Sequence, residues 1–397
     1  MPYDFTTRFD RTHDGSTKWQ DMYDMKPDVS PEAVPVSTAD MEFRTAPAIV
    51  DALVDRVSNH ALGYTSATDE FFDAVLGWQE RRHGWRPERD WLCYSPGVIP
   101  ALHAACLLFS EPGDGIIIQP PVYYPFMAAS AKTGRVRVDN PLVLGDDGRW
   151  HMDYEDLERK TADPRNKVIL VSSPANPVGR VWSAEELRRM ADICLANDVF
   201  IACDEIHNDL VMPGYEHTTL ANVLKPEELE HVMICTAPSK TFNLPALHVS
   251  TVFIPGAEAR EAYKKHRAAV GRQSLNGLAY TACIAAYNES EDWLDELLQV
   301  VAGNAELVRE RLAEAAPELR VTPLEGTYLL WVDFRAWGLT NEDLEALMLR
   351  HDLFTNEGYL FGQEGSGFER LNLACPRSVV EWMVGQILEA RAEVMGR

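Results

Sequence analysis

Five short, uninterrupted apolar runs constrain this chain more than any other feature. They are Gly115-Ile-Ile-Ile-Gln119, Lys167-Val-Ile-Leu-Val-Ser172, Val199-Phe-Ile-Ala-Cys-Asp204, Val232-Met-Ile-Cys235 and Val249-Ser-Thr-Val-Phe-Ile254. A strand with one wet face alternates apolar and polar residues, whereas a strand covered on both faces is apolar throughout. The runs therefore predict a parallel sheet with helices on each side. Between the second and third, Ser183-Ala-Glu-Glu186 has the spacing of a capping box, and Leu187, Met190, Ala191 and Cys194 then recur on one helical face. This is the pattern of a crossover helix in an α/β layer. Ligands of such sheets sit at the carboxyl ends of the strands, so the residues just past each run are where chemistry is expected.

Past the last run the pattern turns helical. A long helix is predicted from Ser290, with Trp293, Leu294, Leu297, Leu298 and Val301 on one face, an interruption at Gly303 and a break near Ala316. Gly326-Thr-Tyr-Leu-Leu-Trp-Val-Asp333 reads as a strand and 358–367 as a glycine-rich loop. At 397 residues the chain exceeds what one core usually holds. The expected organisation is an N-terminal segment, 1–45, joining a small α+β domain at 271–397, with a large α/β domain at 46–270.

Acidic residues number 61 against 37 basic ones, a net charge of −24, so the surface field repels phosphate backbones and anionic headgroups. Neither a nucleic acid nor a membrane is an expected partner, and no apolar run approaches the roughly 18 residues of a spanning helix. Residues 1–10 lack the basic stretch and apolar core of a secretory signal, which predicts a cytoplasmic location. The seven cysteines include no Cys-x-x-Cys pair and the eleven histidines no ligand spacing, so neither a disulfide framework nor a metal is expected.

The chemistry gathers after the strands. Lys240, in Ala237-Pro-Ser-Lys-Thr-Phe-Asn243, follows one run, where partial burial would lower its pKa and make its amine nucleophilic toward an aldehyde. Asp204 ends another, where an unpaired carboxylate is costly and a cation is needed. The pyridinium nitrogen of pyridoxal phosphate (PLP) is such a cation. Asn176, in Ser173-Pro-Ala-Asn-Pro-Val-Gly179, could donate to the phenolate oxygen of the same ring, and Tyr123, in Pro120-Pro-Val-Tyr, could stack on it. Ser95-Pro-Gly97-Val98 opens an apolar helix whose first amides suit a phosphate. Taken singly, each has an ordinary reading: a surface lysine, a helix-capping aspartate, a turn.

In chain order, Ser-Pro-Gly, Pro-Pro-x-Tyr, Asn-Pro-x-Gly, Asp-Glu-Ile-His, Ser-Lys-Thr-Phe-Asn and Phe368-Glu-Arg-Leu-Asn372 resemble the fold type I PLP-dependent enzymes of the aminotransferase class I/II superfamily. They look most like the MalY/PatB branch, the bacterial cystathionine β-lyases or C–S lyases. The resemblance implies a large domain with a mostly parallel seven-stranded sheet. It implies that Lys240 carries the cofactor and later moves the α-proton, that Asp204 pairs with the pyridinium, Asn176 with the ring oxygen and Tyr123 with the ring face. It further implies Gly97, Val98 and Ser239 at the phosphate, Ile206 and His207 beside Asp204, and Arg370 as the clamp on the substrate carboxylate, with Ser37, Ala39 and Asp40 on the substrate side. Tyr64, in Gly63-Tyr-Thr65, resembles a tyrosine that reaches the neighbouring subunit's cofactor, which implies a homodimer with shared sites.

Three places depart from the family pattern. Ser37 stands where a tryptophan is usual, Ser173 and Ala175 replace an asparagine and a histidine, and His248 occupies a position where many fold type I enzymes place a phosphate-binding arginine. The expected activity is β-elimination from an S-substituted L-cysteine, with Ser37 making room for a sulfur substituent bulkier than that of cystathionine. The alternatives are an aminotransferase, decarboxylation-coupled oxidative deamination of an S-conjugated cysteine, and a regulatory binding protein.

Overall fold

The computed structural model describes residues 3–271 and 274–396. Seven strands form its main sheet: β1 (Leu92–Ser95), β2 (Gly115–Ile118), β3 (Val136–Asp139), β4 (Asn166–Ser172), β5 (Phe200–Asp204), β6 (Val232–Thr236) and β7 (Ser250–Phe253). Their order is β1-β7-β6-β5-β4-β2-β3. All five apolar runs are strands, and alternate residues enter two separate cores. Ile117, Ile169, Val171, Ile201 and Ile234 pack with Leu187 and Met190 on one face. On the other, Ile116, Ile118, Val168, Leu170, Ala202 and Met233 pack with Ala101, Leu102 and Ala105. That double burial is why the runs are apolar throughout. The capping box is formed: the Glu186 N–H donates to Ser183 Oγ (3.2 Å), and the Ser183 N–H donates to the Glu186 carboxylate (2.8 Å), opening helix Ala184–Leu195.

One strand departs from the parallel expectation. β7 runs antiparallel to both β6 and β1. The connection at 237–249 holds only a short helix, Pro238–Thr241, and a turn, Pro245–Leu247, too little to cross the sheet as a parallel connection requires. It folds back over the strand ends and carries Lys240. β4, β5 and β6 finish level with one another, Ser172 opposite Asp204 and Asp204 opposite Cys235, so the segments that leave them start from one plane.

A second, antiparallel sheet consists of β8 (Arg320–Val321), β9 (Leu329–Asp333), β10 (Asn356–Glu357) and β11 (Phe368–Asn372), in the order β8-β9-β11-β10. The predicted strand is β9. Residues 36–42 lie along this sheet: the Val36 N–H donates to the Phe354 carbonyl (2.9 Å), the Asn372 N–H to the Val36 carbonyl (2.9 Å) and the Glu42 N–H to the Ala374 carbonyl (2.8 Å). Helix Glu291–Ala315 runs unbroken through Gly303, contrary to the expected interruption. A helical glycine costs only about 1 kcal/mol, less than burial of Trp293, Leu294, Leu297, Val301, Val308 and Leu312 returns. In the loop at 358–367 the glycines serve close approach: a Cβ on Gly358 would stand 2.1 Å from the Gly365 carbonyl oxygen. Helix Gly277–Glu289 packs on helices Pro47–Asn59 and Asp69–His83. All seven cysteines are free and buried. Among the described residues no cluster could hold a metal, and no helix is long and apolar enough to cross a membrane.

Candidate active site

A cavity of about 880 Å³ opens at the carboxyl ends of β4, β5 and β6. Eleven of the sequence-predicted residues line it: Ala39, Gly97, Val98, Tyr123, Asn176, Asp204, Ile206, His207, Ser239, Lys240 and His248. Most of these segments, far apart in sequence, meet here because they adjoin the same edge of the main sheet, while Ala39 comes from the segment that lies along the second sheet.

Lys240 projects from the β6–β7 connection, and its Nζ donates to the Ala39 carbonyl oxygen at 2.6 Å. Burial, reinforced by the Arg370 charge, brings its pKa down to about 8. Asp204 closes β5 at the cavity floor. Burial pushes its carboxyl up to about 7, although the Ile206 N–H donates to Oδ1 at 3.0 Å. Such a carboxyl ionises readily only against a cation, which a protonated ring nitrogen provides. His207 is fully enclosed with Nδ1 unpartnered, and burial holds its pKa well below the ordinary value, so its ring is neutral.

Arg370 lies on β11, 2% exposed, opposite Trp331 of β9 and Asn356 of β10. Nη1 donates to Asn176 Oδ1 (2.9 Å), and Nη2 donates to the Ser37 carbonyl (3.1 Å) and to Asn356 Oδ1. The guanidinium rests 4.7 Å from the Phe361 ring centre, and Nε has no partner. Burial brings its pKa down to about 10. A buried guanidinium whose bonded acceptors are all neutral, with a donor to spare, suits an incoming carboxylate. Because Arg370 occupies Asn176 Oδ1, the Asn176 amide NH₂ is left to donate elsewhere.

These features fit PLP. Helix Val98–Leu108 begins at Gly97 with no side-chain cap, so its first amides are free for a phosphate. Ser239 and His248 face the same space, Asp204 supplies the anion for a ring nitrogen, Lys240 the amine for an aldehyde, and Tyr123 an aromatic face.

Four predicted residues lie outside the cavity wall. Arg370 joins it through Asn176, and Ser37 through the carbonyl that Arg370 holds. Asp40 turns its carboxylate away, to Lys18 (2.6 Å) and Arg11 (3.3 Å). Tyr64 is fully exposed on the surface of its own chain.

Several residues that shape the site were assigned no role from sequence. Tyr328 OH donates to the Ala39 carbonyl (2.9 Å). Asn372 Nδ2 donates to the Thr38 and Asp40 carbonyls (2.8 and 2.7 Å), and Asn243 bonds both backbone atoms of Met41. The two asparagines stood in the recognised motifs, whereas Lys18 and Tyr328 carried no signal. Beneath Lys240, the buried Asp209 accepts from Thr241 Oγ1 (2.7 Å), Trp78 Nε1 (2.9 Å) and His83 Nε2 (2.9 Å). Asp209→Ala leaves three buried donors without an acceptor, and a loss of about 3 kcal/mol or more is expected in urea unfolding. Asp209→Asn, which keeps an acceptor, should lose less; equal losses would remove the network from the account.

Residues 32–387 match the family described as aminotransferase class I and II. The chain is 38% identical to the cystathionine beta-lyase PatB of Bacillus subtilis, over 88% of this chain and 90% of that one. It is 34% identical to the protein MalY of Escherichia coli, over 98% of both. The crystal structure of cystalysin from Treponema denticola, described as containing a pyridoxal 5'-phosphate cofactor, superposes with a TM-score of 0.97 at 40% identity, covering 99% of this chain and all of that one. With this match spanning nearly the whole length and the cavity described above, the chain belongs to the aminotransferase class I and II family.

Proposed function

We propose that this protein is a PLP-dependent carbon–sulfur β-lyase acting on an S-substituted L-cysteine. The net reaction takes RS–CH₂–CH(NH₃⁺)–COO⁻ and water to RSH, pyruvate and ammonium. The observation that carries this reading is one cavity holding a lysine amine with its pKa near 8 and a buried carboxyl raised to about 7, joined through Asn176 to a buried arginine bonded only to neutral acceptors. The likeness to PatB, named a cystathionine beta-lyase, supports the choice of reaction.

When bound, PLP supplies an aldehyde for an amine and a ring that accepts electrons from Cα. Lys240 would hold that group through its amine and, when free, would take the proton from the substrate's Cα. A pKa of about 8 leaves a useful fraction of its amine unprotonated near neutrality. Asp204 would keep a ring nitrogen protonated, Asn176 would donate to a ring oxygen and Tyr123 would offer an aromatic face. Gly97, Val98 and Ser239 would hold the phosphate, with the exposed His248 bringing an imidazole where a guanidinium is common. Arg370 exchanges its neutral acceptors for the substrate carboxylate and so fixes which Cα bond faces the ring.

The assembly we infer is a homodimer. Val50, Val54 and Val57 form an exposed apolar stripe on helix Pro47–Asn59, and Leu62 and Tyr64 continue it. Burying that stripe against a second copy would cover Tyr64 as well, the residue that resembles a tyrosine reaching a neighbouring subunit's cofactor. Seven free, buried cysteines accord with a reducing, cytoplasmic setting. The packing of helix Gly277–Glu289 on the large unit supports a small-unit boundary nearer Glu291 than residue 271.

Ser37 has a small side chain, and its backbone carbonyl accepts from the substrate clamp Arg370. Ser37→Trp is expected to lower kcat/KM for a bulky S-conjugated cysteine by about tenfold or more while changing that for a small one less. Equal losses on both would refute the enlarged-pocket reading. The lyase reading itself is tested by a product balance on L-cystathionine and a bulky conjugate. Equal thiol, pyruvate and ammonia without added keto acid support it. Keto-acid-dependent amino transfer, or carbon dioxide in place of pyruvate, would replace it with transamination or decarboxylative deamination.

A further inference from the structure

Residues 37–41 form an irregular strap that reaches the cavity wall at Ala39, and each of its five carbonyls is capped by a side chain from elsewhere. Arg370 holds the carbonyl of Ser37, Asn372 those of Thr38 and Asp40, Lys240 and Tyr328 that of Ala39, and Asn243 that of Met41. The strap thus touches both the amine that moves the proton and the guanidinium that clamps the substrate, while its backbone bonds to the small sheet lie at its flanks, Val36 and Glu42.

What fixes it on the far side is Lys18. This lysine, on helix Thr17–Met25, has a side chain 1% exposed. Its ammonium meets Asp40 Oδ1 (2.6 Å), the Asp40 carbonyl (3.0 Å) and Glu42 Oε1 (2.7 Å), which uses all three of its donors. Arg11 extends the cluster, bonding Glu42 (2.9 Å), Asp14 (3.0 Å) and Asp40 (3.3 Å), and Trp19 Nε1 donates to Glu42 (3.3 Å). The Lys18–Glu42 pair is buried and Asp40 largely so; such a cluster is seldom a source of net stability over an apolar packing, but it is directional and holds residue 40 at one point. The carbonyl it steadies is one residue from the one that receives the Lys240 amine.

We propose that Lys18 is a positioning residue for the reaction: by locking Asp40 and Glu42 it sets the strap so that the Ala39 carbonyl aims the Lys240 amine at the substrate's Cα proton. The inference rests on the lyase reading of the site. Lys18 never touches substrate or cofactor. Its effect reaches the reaction through Asp40, Ala39 and Lys240, and a displacement of about 1 Å in a reacting group is enough to slow a step by about 10²-fold.

The test compares wild-type and Lys18→Met holoenzymes by three readouts: hydrogen exchange of the peptide containing 36–43, kcat and KM on an S-substituted cysteine, and the isotope effect on kcat with the α-deuterated substrate. We expect faster exchange in the strap with unchanged exchange in β4, β5 and β6. Turnover should fall about tenfold or more with a smaller change in KM, and the isotope effect should rise because proton removal has become the slow step. Unchanged turnover overturns the proposal. So does a loss of turnover with an unchanged isotope effect and exchange raised throughout the protein, which marks a merely structural lysine. If Lys18→Met does not fold, Asp40→Asn, which keeps an acceptor for Lys18 but removes the charge, is read by the same criteria. Failure of the wild-type enzyme to release thiol would instead refute the lyase reading, so the two failures are distinguishable.

Discussion

Replacing Lys240 by alanine is expected to lower thiol release by at least about 10³-fold, the scale of losing the group that both anchors the reactant and moves its proton. The fold should survive. The Ala39 carbonyl that loses the amine keeps the Tyr328 hydroxyl at 2.9 Å, and the buried Thr241–Asp209 bond beneath the site is untouched. Unfolding curves of the two proteins stripped of cofactor should therefore nearly coincide while turnover collapses. The same variant separates the enzyme from a regulatory binding protein: a Lys240→Ala chain that kept full biological activity would show that the catalytic cavity is not what the cell uses.

The second large effect concerns Asp204 and has opposite signs in the stripped and loaded proteins. Burial raises its carboxyl from the ordinary 3.8 to about 7. In stripped protein between those values the unfolded chain has released this proton and the folded one retains it, so the contribution to stability falls as pH rises. Above about pH 7 the buried carboxylate costs about 4 kcal/mol relative to acid, from a pKa raised from 3.8 to about 7. Asp204→Asn removes that penalty. It should stabilise stripped protein more at about pH 8 than at about pH 5, as read by urea unfolding. In the loaded enzyme it should cut turnover by about 10²–10³-fold, since an amide cannot hold a proton on the ring nitrogen by charge. A stripped variant with the same pH dependence as wild type would show that Asp204 is not the buried acid.

Much of this was legible in the sequence because it depended on local order. Continuous apolar runs marked the strands because both sheet faces are covered, and the residues just past them had to meet where the strands end together. Strand direction was not legible for β7, since a run of apolar residues has no polarity and only the short 237–249 connection decides it. β3 escaped because Val-Arg-Val-Asp at an exposed edge forms no apolar run. Gly303 was misread because a glycine's local cost was set against no tertiary contacts, and those contacts win. Within the site, Lys240, Asp204 and Asn176 came from motifs attached to strand ends. Asp40 was expected to face substrate, whereas its carboxylate faces Lys18 and Arg11. That contact joins residues 22 apart through a buried ion pair that no local pattern announces. Tyr328 was hidden for the same reason, its partner Ala39 being 289 residues away.

The most direct test of the account is to reduce the PLP-loaded protein with borohydride, digest it and locate the pyridoxyl group by mass spectrometry. A yellow protein whose colour is lost on reduction is expected, with the label on Lys240 alone and none in Lys240→Ala. A label on any other lysine, or a protein that takes up no PLP, would contradict it.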